Sequence, residues 1–204
     1  MKDAPLAPDS VEAFRKMAKG ALRKRLKAVR SALPIASVAM RSARIVARLE
    51  EHAWVQASRG VALYAAMPDR REVDVSALHE WLAARQVRLY YPFMTKIEGG
   101  HDTGFRLLAP GETLVIRDNR FAEPKSDAPR ARRGDIDVVI VPAVAVSLDG
   151  YRVGMGSGFY DVTLPDVCPP AKSIAVAYDF QRMVEVPCEP HDFRCDAVIT
   201  DAVD

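Results

Sequence analysis

Three glycines at alternate positions, Gly154, Gly156 and Gly158, lie between Arg152 and Asp161. Without a Cβ, such residues let successive backbone N–H groups turn toward one anion. Arg152 adds a planar, permanently charged fork for phosphate oxygens. Asp161 adds a hard carboxylate of the kind that holds a divalent cation such as Mg2+. The chemistry that fits is nucleotide-phosphate binding. No Gly-Lys-Ser/Thr follows, so the loop is not a Walker A motif, and the glycine spacing is not that of the dinucleotide fingerprint. On spacing alone, a structural turn explains the three glycines as well as a phosphate cradle does.

Such a loop must be carried by something rigid. Ahead of it runs Val138-Val139-Ile140-Val141-Pro142, an apolar, β-branched segment of buried-strand type. Open α/β sheets bind phosphate ligands where such a strand ends. A helix beginning at Phe159 and stopping at or just after Pro165 would add its N-terminal dipole. Upstream, Phe14, Met17, Leu22, Leu26, Val29 and Leu33 mark a helix from Ser10 to Pro34. Bases crowd it, among them Lys16, Lys19, Arg23, Lys24, Arg25, Lys27 and Arg30. A second helix is predicted over Ser37–Glu51. Gly60–Ala66 reads as a strand, 69–74 as a charged loop, and Ser76 as the cap of a helix through Leu82. Val87–Pro92 completes a parallel βαβ unit. The polar stretch 95–104 reads as a loop or hairpin, followed by short strands at 104–108 and 113–116 and an extended linker over 121–133. Strands at 173–178 and 195–201 close the chain. The alternation predicts one three-layer α/β/α domain over residues 10–204 with a mostly parallel, mixed sheet, after a disordered tail over 1–9.

With 204 residues, a net charge of +2 and three cysteines lacking CxxC spacing, the composition is that of a reduced, soluble globular protein. No run of some 20 apolar residues and no signal-peptide pattern is present, so the expected location is the cytoplasm, with no membrane partner. The basic helix permits weak nucleic-acid binding, but it lacks interleaved aromatics, and no nucleic-acid partner is expected. The histidines lack metal-ligand spacing.

The segment Val141-Pro142-Ala143-Val144-Ala145 with Asp149–Asp161 resembles the signature of the 5-formyltetrahydrofolate cyclo-ligase (methenyltetrahydrofolate synthetase) family. The resemblance extends to Lys19-Gly20-Ala21-Leu22-Arg23, Glu72-Val73-Asp74, Glu123-Pro124, Gln181 with Val186-Pro187, His191-Asp192 and Ile199-Thr200-Asp201. It implies a fold of the NagB/RpiA/CoA transferase-like kind and an ATP- and Mg2+-dependent closure of 5-formyltetrahydrofolate to 5,10-methenyltetrahydrofolate by a monomer. The formyl oxygen attacks the γ-phosphate, and N10 then displaces phosphate from the activated carbon.

That reaction implies roles. Lys19, Arg23 and Arg152 clamp the triphosphate against Gly154, Met155, Gly156, Ser157, Gly158, Phe159 and Tyr160, and Asp161 holds Mg2+. Tyr160 and Arg152 serve the reacting groups. Tyr64, Met67, Glu72 and Tyr160 form the folate side, with Glu72 on the polar edge of the pterin. Val75, Ala143, Val146 and Val162 depart from the family pattern, at positions read as packing or supporting ones. They leave room for a relative acting on another substrate, or for a nucleotide- or folate-binding protein without catalysis.

Overall fold

The structure, a computed structural model, describes residues 8–116 and 121–202. The expected tail therefore lies outside the described residues, except that helix α1 (Pro8–Ser31) already includes positions 8 and 9. Next come α2 (Ile35–Glu51), α3 (Ala53–Gln56) and strand β1 (Gly60–Ala62), then α4 (Ser76–Ala84), β2 (Arg88–Ile97) and β3 (Gly100–Leu108). Short strands β4 (Val115–Ile116) and β5 (Ala122–Glu123) precede β6 (Val138–Pro142), β7 (Ala145–Ser147) and β8 (Arg152–Val153). Helix α5 (Phe159–Val167), β9 (Lys172–Val176), β10 (Arg182–Met183) and β11 (Ala197–Ile199) complete the order.

The main sheet runs β11-β9-β6-β1-β2-β3 and is parallel except for β3, which forms a hairpin with β2. Because side chains alternate along a strand, each strand feeds two cores. Val61, Leu63, Val138, Ile140, Ile174 and Val176 pack under α2 and α4 with Ile45, Leu49, Leu78 and Leu82. Ala62, Val139, Val141 and Ala175 face the other way, onto Phe159, Leu164 and Val167 of α5. This is the expected three-layer arrangement.

The stretch 95–104, read as a loop or hairpin, is a hairpin formed by the two arms of β2 and β3. Other local expectations need correction. Strand β2 runs through Pro92 because β1 pairs with it only as far as Tyr90, so the missing N–H leaves no ladder bond unmade. Residues 121–133 are not a free linker. Beyond β5 the chain is pinned to β3, with Ala131 N–H donating to Phe105 and Leu107 N–H to Pro129. Ser76 is the first helical residue rather than the cap, and the Asp74 carboxylate accepts its N–H at 2.9 Å.

From β1 the chain crosses through α4 to β2 on one side; from β6 it crosses through α5 to β9 on the other. The carboxyl ends of β1 and β6 thus flank the point where the winding reverses, which is where doubly wound sheets open a crevice. At the opposite, amino end of β1 the packing is close. A Cβ on Gly60 would lie 2.1 Å from the carbonyl oxygen of Asp135. Gly60→Ala is expected to lower stability by at least about 2 kcal/mol, read from urea unfolding, because backbone must move to relieve the overlap.

Candidate active site

Two recesses meet at the glycine loop. The loop is delivered by the β7–β8 hairpin, whose turn needs Gly150: its φ is +96°, and a Cβ there would meet the Cys195 carbonyl at 2.3 Å. Gly156 and Gly158 also take positive φ, +109° and +71°, and Gly158 is the N-cap of α5. The loop backbone is therefore one that glycine alone adopts easily, and it leads into a helix N-terminus as expected.

The polar recess, of about 400 Å³, is lined by Lys19, Arg23, Arg152, residues 153–161 and Asp192. All the residues proposed for ATP thus meet in one place, but their charges are already engaged. Arg152 is buried; its Nη1 donates to Asp161 Oδ1 at 2.9 Å, and its guanidinium lies 5.5 Å from the Tyr160 ring centre. Its Nε is buried without a partner among the described residues. Arg23 Nε donates to the Gly154 carbonyl at 2.8 Å, which ties α1 to the loop. Lys19 does not point at the recess as an unpaired cation. Its Nζ lies 2.5 Å from Glu189 Oε2 and 2.5 Å from Asp192 Oδ2. Burial alone would lower the Lys19 pKa, but the hydrogen bonds to Asp192 and Glu189 outweigh it and hold the group above its ordinary value. The ligand atoms of Glu189, His191 and Asp192 lie within 4.8 Å of one another. This cluster already has its cation, the Lys19 ammonium.

The second recess is an apolar cleft on the other side of the loop. Tyr64 and Met67 reach it from the segment after β1, Phe93 and Met94 from β2, Glu123 from β5, and Met155 and Tyr160 from the glycine loop and α5. The Tyr64 hydroxyl donates to the Val73 carbonyl at 2.6 Å, so this residue offers its ring as a wall. Burial raises the Tyr64 and Tyr160 phenols far above their ordinary pKa, and both stay neutral. Glu72 is buried at the polar end. Its Oε2 accepts the Met67 N–H at 3.0 Å, and its Oε1 is 3.7 Å from Arg30 Nη2.

Gly154, Met155, Ser157, Phe159 and Tyr160 line both recesses, so the loop is their shared wall. A family model described as the 5-formyltetrahydrofolate cyclo-ligase family matches residues 15–201. The chain belongs to that family. Curated relatives named 5-formyltetrahydrofolate cyclo-ligase include one from Mycolicibacterium smegmatis, 42% identical over 45% of this chain and 47% of that protein. Another, from Escherichia coli K12, is 34% identical over 63% of this chain and 71% of that protein. The alignment thus spans about half of the first relative and some seven-tenths of the second. Among solved structures, a 5,10-methenyltetrahydrofolate synthetase from Aquifex aeolicus superposes with a TM-score of 0.75 at 29% identity, covering 90% of this chain and 89% of that one. One from Mycoplasma pneumoniae gives 0.70 at 25% identity, covering 90% and 99%.

Against the cyclo-ligase pattern, Val75, Ala143 and Val146 are buried packing residues, as read from the sequence. Val162 is not: it is 65% exposed on α5. None of the four lines either recess. Sequence reasoning gave no role to Arg30, Glu123, Glu189 or Asp192. Arg30 stands seven residues after Arg23, two turns on along the same stripe of α1, and that spacing was a usable signal. Glu123 and Asp192 stand within matched motifs. Glu123 is buried, with Oε1 accepting the Met94 N–H at 3.1 Å. Glu189 carried no signal. No helix among the described residues is long and apolar enough to cross a membrane.

Proposed function

We propose that this protein is a C–N bond-forming ligase that closes 5-formyltetrahydrofolate to 5,10-methenyltetrahydrofolate, converting ATP to ADP and phosphate. The observation that carries this reading is the shared wall: a cationic, glycine-lined recess and an apolar cavity meet at Gly154–Tyr160. A phosphoryl donor on one side can there reach an oxygen of a ligand on the other, and positioning is most of what such a transfer needs.

In this reading the formyl oxygen attacks the γ-phosphorus, the bond to the bridging oxygen breaks, and ADP leaves. N10 then attacks the formyl carbon, its proton is lost, and the C–O bond breaks to release phosphate. The triphosphate lies along the backbone of residues 154–158, with Arg23 and Arg152 beside it and Lys19 exchanging part of its contact with Glu189 and Asp192 for phosphate oxygen. Tyr160 donates its neutral hydroxyl near the reacting atoms and takes the Arg152 charge on its ring face. Glu72 accepts from the N–H edge of the pterin, between the Tyr64 ring and Met67. Asp161 has an oxygen, Oδ2, with no partner among the described residues, and it lines the polar recess. This hard donor fits Mg2+, which would neutralise charge on the phosphates. Protein mixed with 5-formyltetrahydrofolate, ATP and Mg2+ is expected to develop the near-ultraviolet absorbance of the methenyl product. ATP binding without that absorbance would refute the reading.

A further inference from the structure

Glu123, the acid of the Glu123-Pro124 pair, lies on β5 in the wall of the apolar cavity and is only 3% exposed. Among the described residues lining that cavity, two carry a carboxylate, Glu72 and Glu123. They belong to different walls. Glu72 accepts the Met67 N–H at 3.0 Å and faces Arg30 of α1, whereas Glu123 Oε1 accepts the N–H of Met94, on β2, at 3.1 Å. The segment that carries Glu123 is anchored on both sides. Glu123 pairs with Val115 across β5 and β4, Lys125 Nζ lies 2.7 Å from Glu112 Oε1, and Arg106 Nη1 donates to the carbonyls of Lys125 and Ser126. The Arg106 guanidinium in turn lies over Phe93, 4.2 Å from its ring centre, and Phe93 lines the same cavity. A carboxylate delivered in this way keeps a fixed place against a bound ligand, as a group that transfers a proton must.

Ring closure releases a proton. N10 is an arylamine nitrogen, and it becomes cationic and strongly acidic as its lone pair bonds to the formyl carbon. A positioned base speeds such a step. The apolar lining gives water few partners. Tyr64 and Tyr160 are neutral phenols, donors rather than bases, because burial raises both far above their ordinary pKa. Glu72, beside Arg30, meets the N–H edge of the pterin, which is on the pyrimidine ring, while N10 hangs from the other ring on a one-carbon arm. Glu123 is the remaining carboxylate. Resting on the function proposed above, we infer that Glu123 accepts a hydrogen bond from N10–H and takes that proton as the bond from N10 to carbon forms. The N–H electron pair stays on nitrogen. The carbon–oxygen bond then breaks, its pair leaves with phosphate, and Glu123 passes the proton to that phosphate or to water. Phosphoryl transfer to the formyl oxygen needs no such base, so Glu123 acts on the second step alone.

Glu123→Gln tests this, since it keeps an acceptor for the Met94 N–H and loses the base. Its kcat for methenyl formation is expected to fall about 10²-fold or more, the usual contribution of a general base, with the Kd for 5-formyltetrahydrofolate and the KM for ATP within about threefold. In a rapid-quench single turnover, ADP should appear well ahead of the near-ultraviolet absorbance of the product. A packing fault would slow both together. For Glu123→Ala, sodium formate should raise the rate of closure at least about fivefold, by supplying a carboxylate in the space left, and sodium chloride at equal ionic strength should not. Closure by Glu123→Gln at nearly the unaltered rate would overturn the inference and leave the proposed reaction standing, with phosphate itself as the proton acceptor. So would ADP and absorbance that slow in step, or a folate Kd that rises as much as kcat falls. If Glu123→Gln proves unfolded by urea titration, formate decides on Glu123→Ala, and a rate that does not respond to it overturns the assignment. No methenyl product from the unaltered protein would sink both proposals.

Discussion

Arg152→Ala is expected to lower kcat/KM at least a hundredfold and to weaken ATP binding by tenfold or more, while the Kd for 5-formyltetrahydrofolate changes by less than about threefold. The asymmetry follows from position. Arg152 lies in the wall of the polar recess, held by Asp161 at 2.9 Å beneath the Tyr160 ring, and does not line the apolar cavity. Removing it takes a positive charge from the place where phosphoryl charge would develop, a loss typically of about 10²–10³ in rate. It also frees Asp161 to repel the nucleotide. Arg152→Lys should recover only part of the loss, because a point charge cannot reproduce the fork. Lys19→Ala should act in the same sense. It leaves Glu189 and Asp192 as two uncompensated carboxylates at the recess, so the cost exceeds that of a missing phosphate contact. Equal losses of affinity for both ligands would overturn the division of the site. Isothermal titration with a non-hydrolysable ATP analogue and with the folate separates the two outcomes.

The glycine loop was legible because its constraint is local: alternating glycines after a β-branched run announce a backbone that turns, and Gly156 and Gly158 do take positive φ. The strand at 138–142 was legible to the residue, since a strand buried on both faces has a continuous apolar sequence. For the β2–β3 hairpin the sequence left loop and hairpin both open over 95–104, because an edge strand exposed to water carries the same polar residues as a loop. Its ladder is set by partners across the chain, which composition does not record. The ion pairs show the same limit. Lys19 and Arg23 could be placed on one side of a helix from spacing, but nothing near them in sequence says that Lys19 meets Glu189 and Asp192, some 170 residues away. For Glu72, likewise, the resemblance gives a ligand, while its buried partner, Arg30, becomes apparent only when α1 packs beside the segment after β1. What a charge faces is decided by the fold.

Under the proposed function Glu72 has two duties, and they can be separated. Glu72→Gln is expected to raise the KM for 5-formyltetrahydrofolate at least tenfold with the KM for ATP within about twofold. An amide offers one acceptor oxygen where the carboxylate offers two, and its NH2 would then face the pterin's own donors. The same change should lower stability by about 1–3 kcal/mol, because the buried Arg30 guanidinium loses its counter-charge at 3.7 Å. The structural part is removable. Adding Arg30→Met to Glu72→Gln should restore most of the lost stability, since an apolar side chain of similar length does not require a counter-charge. Folate affinity should remain low in the double variant, as the pterin still lacks its carboxylate. Urea unfolding and steady-state kinetics on the unaltered protein, both single variants and the double variant close the cycle. Folate affinity that returned together with stability would mean that Glu72 acts only through Arg30. A KM for folate unmoved by Glu72→Gln would remove Glu72 from the substrate site altogether.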